Sequence, residues 1–379
     1  MQIRICEDEM KKILLEDCCE ILDSQRVPIT ATNRAKGPYP YYGANGVQDY
    51  VDDYIFDDEL VLLAEDGGNF GSKTKPIAYR VSGKCWVNNH AHVIKPKNRI
   101  DVDFLCYSLM FYNTDGLVNG ATRKKLTQAT MRKMLIPDLS KEQQLDIVNQ
   151  LNRIVEIRNL RLKEIQKLDE LIKARFVELF GDVVLNDKHW ETQEFSKVTD
   201  SRLGKMLDAK RQTGQSSFPY LANANVQWFR FEVDCLNEMD FNEAEQKEFA
   251  LEEGDLLVCE GGEIGRCAIW HNQVQPCFFQ KALHRVRCKQ GIILPDYLAW
   301  WFKFNCENNG FTAIEGAKAT IAHLPGAKLK KLRVVIPPLS LQNQFADFVT
   351  QVDKSKAAVQ KALDETQLLF DSLMQEYFG

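Results

Sequence analysis

The sequence predicts an α+β protein made of two related α/β units, each ending in a long helix. Its 379 residues are about twice the usual size of one domain. Short motifs from the first half return in the same order in the second half, which indicates an internal repeat. Two segments of about 40 residues carry helical apolar spacing. The composition, with 45% apolar and 27% charged residues, is that of an ordinary globular protein.

The internal repeat consists of five matches. Tyr39–Tyr42 returns as Phe218–Leu221, 179 positions later, and the glycine-containing segment Leu62–Gly71 returns as Leu256–Gly265, 194 positions later. The other matches are Cys85-Trp86 and His92 with Cys277-Phe278 and His284, Asp103–Leu105 with Asp296–Leu298, and Ile136–Ser140 with Ile336–Ser340 at an offset of 200. The chain is therefore predicted to contain two diverged copies of one unit.

The distribution of charged residues also repeats between the two copies. Residues 1–66 carry 6 basic and 15 acidic side chains, whereas residues 67–137 carry 12 basic and 3 acidic ones. In the second copy, residues 183–260 carry 8 basic and 16 acidic side chains, and residues 261–333 carry 11 and 4. The net charge of −5 by itself argues against a polyanionic partner. The separation of charge can nevertheless create an anion-binding face in each copy.

The first part of each unit has the pattern of short strands and turns, followed by a short helix. Strands are predicted within 51–63, within 75–94 with a break at Ser82-Gly83, and within 255–270 around the second glycine loop. The short helices are predicted over Val102–Tyr112 and Pro295–Phe304.

The last part of each unit predicts a long helix. Ser140 and Gln143 form a capping box, and apolar residues then follow at alternating spacings of three and four, as in a coiled-coil seam. A helix of about 40 residues extends about 60 Å. Since a small domain cannot cover that length, we expect the two helices to pair and to offer further apolar residues to partner helices.

The candidate partner-binding residues of this seam are Leu151, Val155, Leu162, Ile165 and Ile172 in the first helix, and Val352, Val359, Leu363, Phe370 and Leu373 in the second. Further apolar residues lie off the seam, at Ile154, Ile157, Leu160, Leu168 and Leu171. The predicted segments are thus a domain at 1–139, a helix at 140–182, a domain at 183–335 and a helix at 336–379.

No pattern in the sequence predicts catalysis or a resident cofactor. A dinucleotide fingerprint is absent, and Ile336–Leu339 lacks the polar and aromatic members of an adenine methyltransferase motif. His90 and His92 have a spacing that could hold a metal, but the aligned second copy has Ala282 and His284, so structural histidines are predicted instead. Eleven cysteines without a Cys-x-x-Cys pair and the lack of a long apolar run predict a cytoplasmic protein with reduced thiols.

The features that favour binding are two glycine loops, basic segments, and asparagines and tyrosines near the front of each copy. Glycines let a backbone approach another molecule closely, and amide side chains suit adenine edges. The candidate DNA contacts in the first copy are Tyr41, Tyr42, Asn45, Gly67, Gly68, Lys73, Lys75, Arg123, Lys124 and Lys125. Those in the second copy are Lys210, Arg211, Tyr220, Asn223, Asn225, Gly261, Gly262, Arg266, Lys281 and Lys318. The tyrosines serve either as contacts or as core residues.

These residues resemble the specificity subunits of type I restriction-modification systems. In that family, each α/β domain closes with a Gly-Ala segment, here Gly120-Ala121 and Gly316-Ala317. An Ile-Pro-x-Leu-Ser-x-x-x-Gln signature then opens the long helix, here Ile136–Gln144 and Ile336–Gln344. The resemblance covers essentially the whole chain.

The resemblance implies two target recognition domains, each reading one half of a split, asymmetric target in double-stranded DNA, with the antiparallel helices fixing the spacer. It also implies that this chain is not an enzyme. Two modification subunits would methylate adenine with S-adenosylmethionine, and restriction subunits, where present, would use ATP and Mg to translocate and cut. The alternative from the residues is a coiled-coil adaptor whose two domains bind proteins and not DNA.

Overall fold

The computed structural model describes residues 11–120, 122–208, 212–311 and 323–379. The chain forms two compact units, and the α+β fold with two mixed domains and two long helices is confirmed. Unit 1 comprises Met1–Lys163 and Gln360–Gly379, and unit 2 comprises Glu164–Val359. Each unit therefore contains one mixed domain together with part of both long helices. The division into four segments at 139, 182 and 335 stays a prediction.

Unit 1 is built on a six-stranded sheet. Neighbouring strands are antiparallel except at one place, where Tyr41 lies opposite Trp86 in a parallel pair. The strands follow one another across the sheet in the order Cys19–Ile21, Ala91–Pro96, Phe56–Ala64, Ala78–Val87, Lys36–Gly43 and Gly46–Val51. Two-stranded pairs join Lys12–Leu14 to Leu135–Pro137 and Val118–Asn119 to Lys125–Leu126. The short helices are Leu15–Cys18, Val102–Met110 and Gln128–Arg132, with 3-10 turns at Asp23–Gln25 and Ala31–Asn33.

The predicted strand break at Ser82-Gly83 is wrong. The strand Ala78–Val87 passes through both residues, and Gly83 pairs with Asp58 on the neighbouring strand. Gly83 has a φ of 75°, a backbone conformation that glycine adopts without strain, so the strand bends there without ending. The helix predicted after this region is confirmed as Val102–Met110, and Asp101 caps it by accepting hydrogen bonds from two backbone amides.

In unit 2, the strands that correspond to the six-stranded sheet of unit 1 form two separate sheets. The four-stranded part has the order Thr199–Leu203, Leu283–Cys288, Leu256–Cys259 and Cys267–Ile269, and the three-stranded part has the order Asn237–Asp240, Ser217–Leu221 and Phe278–Phe279. The smaller pairs are Glu191–Glu194 with Arg333–Ile336 and Val226–Gln227 with Arg230–Phe231. The helices are Phe195–Val198, Glu243–Phe249, Pro295–Glu307 and Gly326–Lys330, with a 3-10 turn at Asn223–Asn225. The predicted helix from Pro295 is confirmed and ends three residues later than expected.

The long helices span Lys141–Phe180 and Leu339–Phe378, 40 residues each. In unit 1, the Tyr377 hydroxyl lies 3.1 Å from Gln150 Oε1, and Arg161 donates to the hydroxyl of Thr366. Residue numbers thus fall along one helix as they rise along the other, so the helices are antiparallel. The capping box is confirmed, because Gln143 N donates to Ser140 Oγ and Ser140 N donates to Gln143 Oε1.

Most seam residues pack into a domain core. Leu151 and Phe370 belong to the core of unit 1, and Ile172 and Val352 belong to the core of unit 2. Leu162 departs from the predicted seam, because half of its side chain is exposed. Next to Leu162, the two helices are joined by Arg161 and not by an apolar contact. Its guanidinium donates hydrogen bonds to Ala362 O and Thr366 Oγ1 on the second helix.

The last match of the internal repeat is displaced by two residues. Leu15 N donates to Met134 O, and the equivalent bond of unit 2 joins Phe195 N to Leu332 O, 198 positions from Met134. The long helices also begin 198 positions apart. The sequence match at an offset of 200 aligns Ile136 with Ile336 and the residues after it. The backbone hydrogen bonds and the helix starts instead align at an offset of 198.

The described part of the chain contains ten cysteines, all as free thiols, and seven of them are buried, as expected for reduced thiols in cores. Among the described residues, no helix has both the length and the apolar character that crossing a membrane requires.

Candidate nucleic-acid interface

The structure brings the first glycine loop, residues 65–71, and the first basic loop, residues 122–125, together. Gly67 N donates to Lys124 O at 3.2 Å, and Leu126 N donates to Glu65 O at 2.7 Å. Gly67 has a φ of 66°, and a Cβ atom at this position would lie 3.3 Å from Arg123 Nε. The two loops therefore form one surface on unit 1.

The predicted asparagines hold these loops in place. Asn45 Nδ2 donates to Gly67 O at 3.1 Å, and Asn223 Nδ2 donates to Gly261 O at 3.2 Å, so the same contact occurs in both units. Asn225 accepts from Ala222 N and donates to Glu232 O, which fixes a turn. The Nδ2 groups of Asn45 and Asn223 are thus engaged with the glycine loops, which gives these asparagines a positioning role, and the reading of adenine edges stays a prediction.

The predicted tyrosines belong to the protein interior. Tyr41 is 1% exposed, and its hydroxyl bonds the backbone of Ile29. Tyr220 is 5% exposed, and Tyr42 packs against Tyr79 with ring centroids 5.7 Å apart. Burial leaves Tyr41 and Tyr220 no free ring face for DNA, so the structure favours the core role over the contact role.

Carboxylates neutralise two of the three cations in the first basic loop. Arg123 Nη2 lies 2.9 Å from Asp66 Oδ1, and Lys125 Nζ lies 3.0 Å from Glu65 Oε1. Lys124 is exposed and has no ion pair within the described residues. Lys73 and Lys75, also exposed, likewise form no ion pair with the part of the chain that the structure describes. These three ammonium groups are the ones most available to phosphates on this surface.

A network of buried ionic side chains lies behind the two loops, in the interior of unit 1. His92 has no exposed surface; its Nδ1 lies 2.6 Å from Asp23 Oδ2 and its Nε2 lies 2.9 Å from Leu126 O. Both ring nitrogens therefore face oxygen atoms, which hold the ring on two sides. Arg26 adds a cation, 2.7 Å from Glu65 Oε2 and 3.6 Å from Asp23 Oδ2. The network thus ties the basic loop to two strands of the sheet.

The two carboxyl groups of this network are ionised against the effect of burial. Burial by itself raises the pKa of Asp23, but hydrogen bonding and the charge of His92 outweigh it, so the pKa lies below its usual value. Burial also opposes ionisation of Glu65, and hydrogen bonds from Arg26 and Lys125 lower its pKa. Ligand atoms of Asp23, Glu65 and His92 lie within 4.8 Å of one another, but Arg26 and Leu126 O already engage them, so they fit an ionic network better than a metal site.

Unit 2 keeps only part of this arrangement. His284 Nε2 lies 2.9 Å from Leu324 O, matching His92, and burial lowers the pKa of His284. Beside it lies a groove of about 880 Å³, lined by the predicted Lys281. Three further cations that the sequence pattern did not single out also line the groove: Arg202, Lys205 and Lys330. Repetition of the histidine was visible in the sequence, whereas nothing marked the partners of either histidine.

The remaining predicted contacts of unit 2 fall into two groups. Gly262 and Arg266 lie at the second glycine loop, whereas three basic residues lie outside the described part of the chain. Gly262 has a φ of 81°, a backbone conformation that glycine adopts without strain. Arg266 Nη2 donates to Asn223 O at 3.1 Å, so its guanidinium braces the glycine loop. Lys210, Arg211 and Lys318 lie outside the described residues.

The long helices present apolar side chains to solvent. Half or more of the side chain is exposed at Leu160, Leu368 and Leu369. Ile157 is 44% exposed and lies one helical turn before Leu160. Ile154, which the sequence placed off the seam, is instead buried at 8% exposure. Exposed leucines on a paired helix form a surface suited to another helix.

Comparisons with known proteins connect both copies to one family. The family model of the type I restriction modification DNA specificity domain matches residues 7–170 and again residues 187–366. A Haemophilus influenzae protein described as a type I restriction enzyme specificity subunit is 28% identical over 370 residues, covering 96% of this chain and 92% of that protein. The MjaX specificity subunit of Methanocaldococcus jannaschii is 20% identical over 193 residues, covering 50% of this chain and 45% of its own.

Solved structures share the fold. The type I restriction-modification S subunit from M. genitalium aligns over 99% of this chain and 98% of its own, with a TM-score of 0.57 and 13% identity. A chain from a structure concerning complex assembly of the type I restriction-modification system aligns over 97% of both chains, with a TM-score of 0.59 and 14% identity. At these identities the likeness concerns the fold alone.

Proposed function

The chain belongs to the type I restriction-modification DNA specificity family, and from this we propose that it is the non-catalytic subunit that reads a bipartite, asymmetric DNA target. The observation that supports two half-sites is the repetition of one backbone contact in the two units. Leu126 N bonds Glu65 O in unit 1, and Leu324 N bonds Glu260 O in unit 2 at 2.6 Å. The loops around these bonds carry different side chains, so each domain would read a different half-site.

In this proposal, the long helices set the spacer and bind the partners. The two helices have 40 residues each, about 60 Å in length, and each helix has residues in both units. The exposed apolar residues around Leu160 and Leu368 would bind two modification subunits, which supply adenine methylation with S-adenosylmethionine. Restriction subunits, where present, would use ATP and Mg. The protein would bind no cofactor of its own and would act in the cytoplasm.

Methylome sequencing tests the proposal directly. We expect a host carrying the gene and its modification partner to methylate one bipartite motif that a deletion strain leaves unmodified. Replacing residues 1–139 with the matching domain of another family member should change one half of that motif only. Replacing residues 183–335 is the reciprocal control and should change the other half. A change in both halves from either exchange contradicts modular reading.

Lys124→Ala should weaken binding of the assembled complex to duplex DNA about equally for all sequences. One lost phosphate contact lowers the slope of log affinity against log salt concentration by about 1. The measurement is fluorescence anisotropy at several salt concentrations. Lys36→Ala removes an exposed lysine from the acidic front segment of the same unit and serves as the matched control.

Two outcomes would contradict this assignment. An equal loss of affinity in both lysine variants would show that only net charge matters at Lys124. No retention of DNA by the wild-type chain with its partners present would favour the coiled-coil adaptor instead.

A further inference from the structure

A buried glutamine fastens the first long helix to the domain of unit 1. Gln144 lies in the first turn of that helix and has no exposed surface. Its Oε1 accepts from Asp101 N at 2.8 Å. Its Nε2 donates to Arg99 O at 3.1 Å and to Leu139 O at 2.9 Å. One side chain therefore joins the helix start to the turn that precedes the short helix Val102–Met110.

Unit 2 has the same arrangement around Gln342, also fully buried. Gln342 Oε1 accepts from Leu294 N at 2.8 Å. Its Nε2 donates to Ile292 O at 3.1 Å and to Pro337 O at 2.8 Å. The sequence signature pointed to Gln344 as the counterpart of Gln144, but Gln344 is exposed. The offset of 198 found for the helix start identifies Gln342 instead.

The turn that each glutamine holds is also fastened on its other side. Lys97 Nζ donates to the carbonyl oxygens of Glu16 and Asp17, at the end of the first short helix. Lys289 Nζ does the same in unit 2, with the carbonyl oxygens of Ser196 and Lys197. The turn is thus fixed between the domain and the long helix in both copies.

The contacts have survived the divergence of the two copies because they use backbone atoms of the partners. Asp101 corresponds to Leu294, and Leu139 corresponds to Pro337, so the partner side chains differ completely. Only the glutamine side chain has to be the same. A carboxamide provides one acceptor and two donors at its end, which matches one backbone N–H and two carbonyl groups.

We propose that Gln144 and Gln342 are positioning residues that set how strictly the complex discriminates spacer length. This inference rests on the proposed function. Each glutamine fixes the angle between a recognition domain and its long helix, within one unit. One base pair adds about 3.4 Å and about 34° between half-sites. At the far end of a helix about 60 Å long, a change of about 3° in the angle at its start produces a displacement of about 3.4 Å, so a loosened joint relaxes the axial part of this change.

The test uses the assembled complex of the full chain and its modification partner, with the target identified by methylome sequencing. Duplexes carry the native spacer or a spacer one base pair shorter or longer, and affinity and methylation rate are measured on each. Gln144→Met and Gln342→Met preserve side-chain length and remove all three hydrogen bonds. Gln344→Met is the matched control. We expect the Met variants at 144 and 342 to lose about tenfold of the discrimination against altered spacers.

The outcomes separate this inference from the proposed function. If a Met variant fails to fold by circular dichroism, the corresponding Asn variant, which keeps the carboxamide on a side chain one methylene shorter, replaces it in the comparison. Spacer discrimination equal to that of the Gln344→Met control overturns the inference, even where affinity for the native spacer falls. A wild-type complex without any bipartite target overturns the proposed function itself.

Discussion

Introducing Glu at both Leu160 and Leu368 should abolish stable assembly with the modification subunit while the chain itself remains folded. The two side chains are 56% and 69% exposed, so the chain alone loses little packing when they change. In a helix interface each leucine would contribute about 1.5 to 3 kcal/mol, and the new carboxylates would have to be desolvated. Together these effects predict a loss of affinity of about 100-fold or more.

Co-purification and analytical ultracentrifugation of the two subunits measure this effect. Leu185→Glu is the control, because Leu185 is 76% exposed but lies in the loop after the first long helix. We expect this variant to assemble normally. Assembly of the double variant at wild-type affinity would place the partner surface elsewhere and remove the support that the exposed helix residues give to the proposed docking.

Asp23→Asn should lower the free energy of unfolding of unit 1 by about 3 to 5 kcal/mol, since it removes one partner of a buried ionic network. The Asp23 side chain is 4% exposed, and its loss leaves Glu65 as the one remaining carboxylate beside Arg26 and His92 in this network. Urea denaturation measures the change. Asp52→Asn, at an exposed position of the same unit, should change stability by less than about 0.5 kcal/mol.

The same network gives stability a dependence on acid. Folding lowers the pKa of both Asp23 and Glu65, so the stabilisation they provide is complete above their unfolded pKa values. It is lost as the pH falls through the lower folded values, that is, below about pH 4. Asp23→Asn should therefore flatten the acid limb of the stability profile. An unchanged acid limb would show that Asp23 does not titrate with folding.

Much of the architecture could be predicted from local patterns. The seam spacing and the Ser140–Gln143 capping box predicted a helix at 140–182 that the structure shows at Lys141–Phe180. Such features depend on residues three or four positions apart, which the sequence displays directly. The break at Ser82-Gly83 failed, because pairing with Asp58 across the sheet overrides a local turn signal.

Sequence patterns predicted the residues of the candidate interface less well than they predicted the helices. The sequence singled out Asn45 and Tyr41 for residue types that suit DNA, yet the first braces a glycine loop and the second is buried. Arg123 and Lys125 were chosen as cations, but Asp66 and Glu65, about 60 positions earlier, neutralise them. Ion pairs over such separations leave no periodic pattern.

The sequence by itself determined that this protein contains two diverged copies of one unit. It also determined that each copy separates acidic from basic residues and that long helices follow the domains. Repetition and periodicity are properties of the order of residues, so they need no coordinates. Only the tertiary structure decided which glutamine corresponds to Gln144 and which cations have carboxylate partners. Those facts depend on distances between segments far apart in the chain, and folding alone brings such segments together.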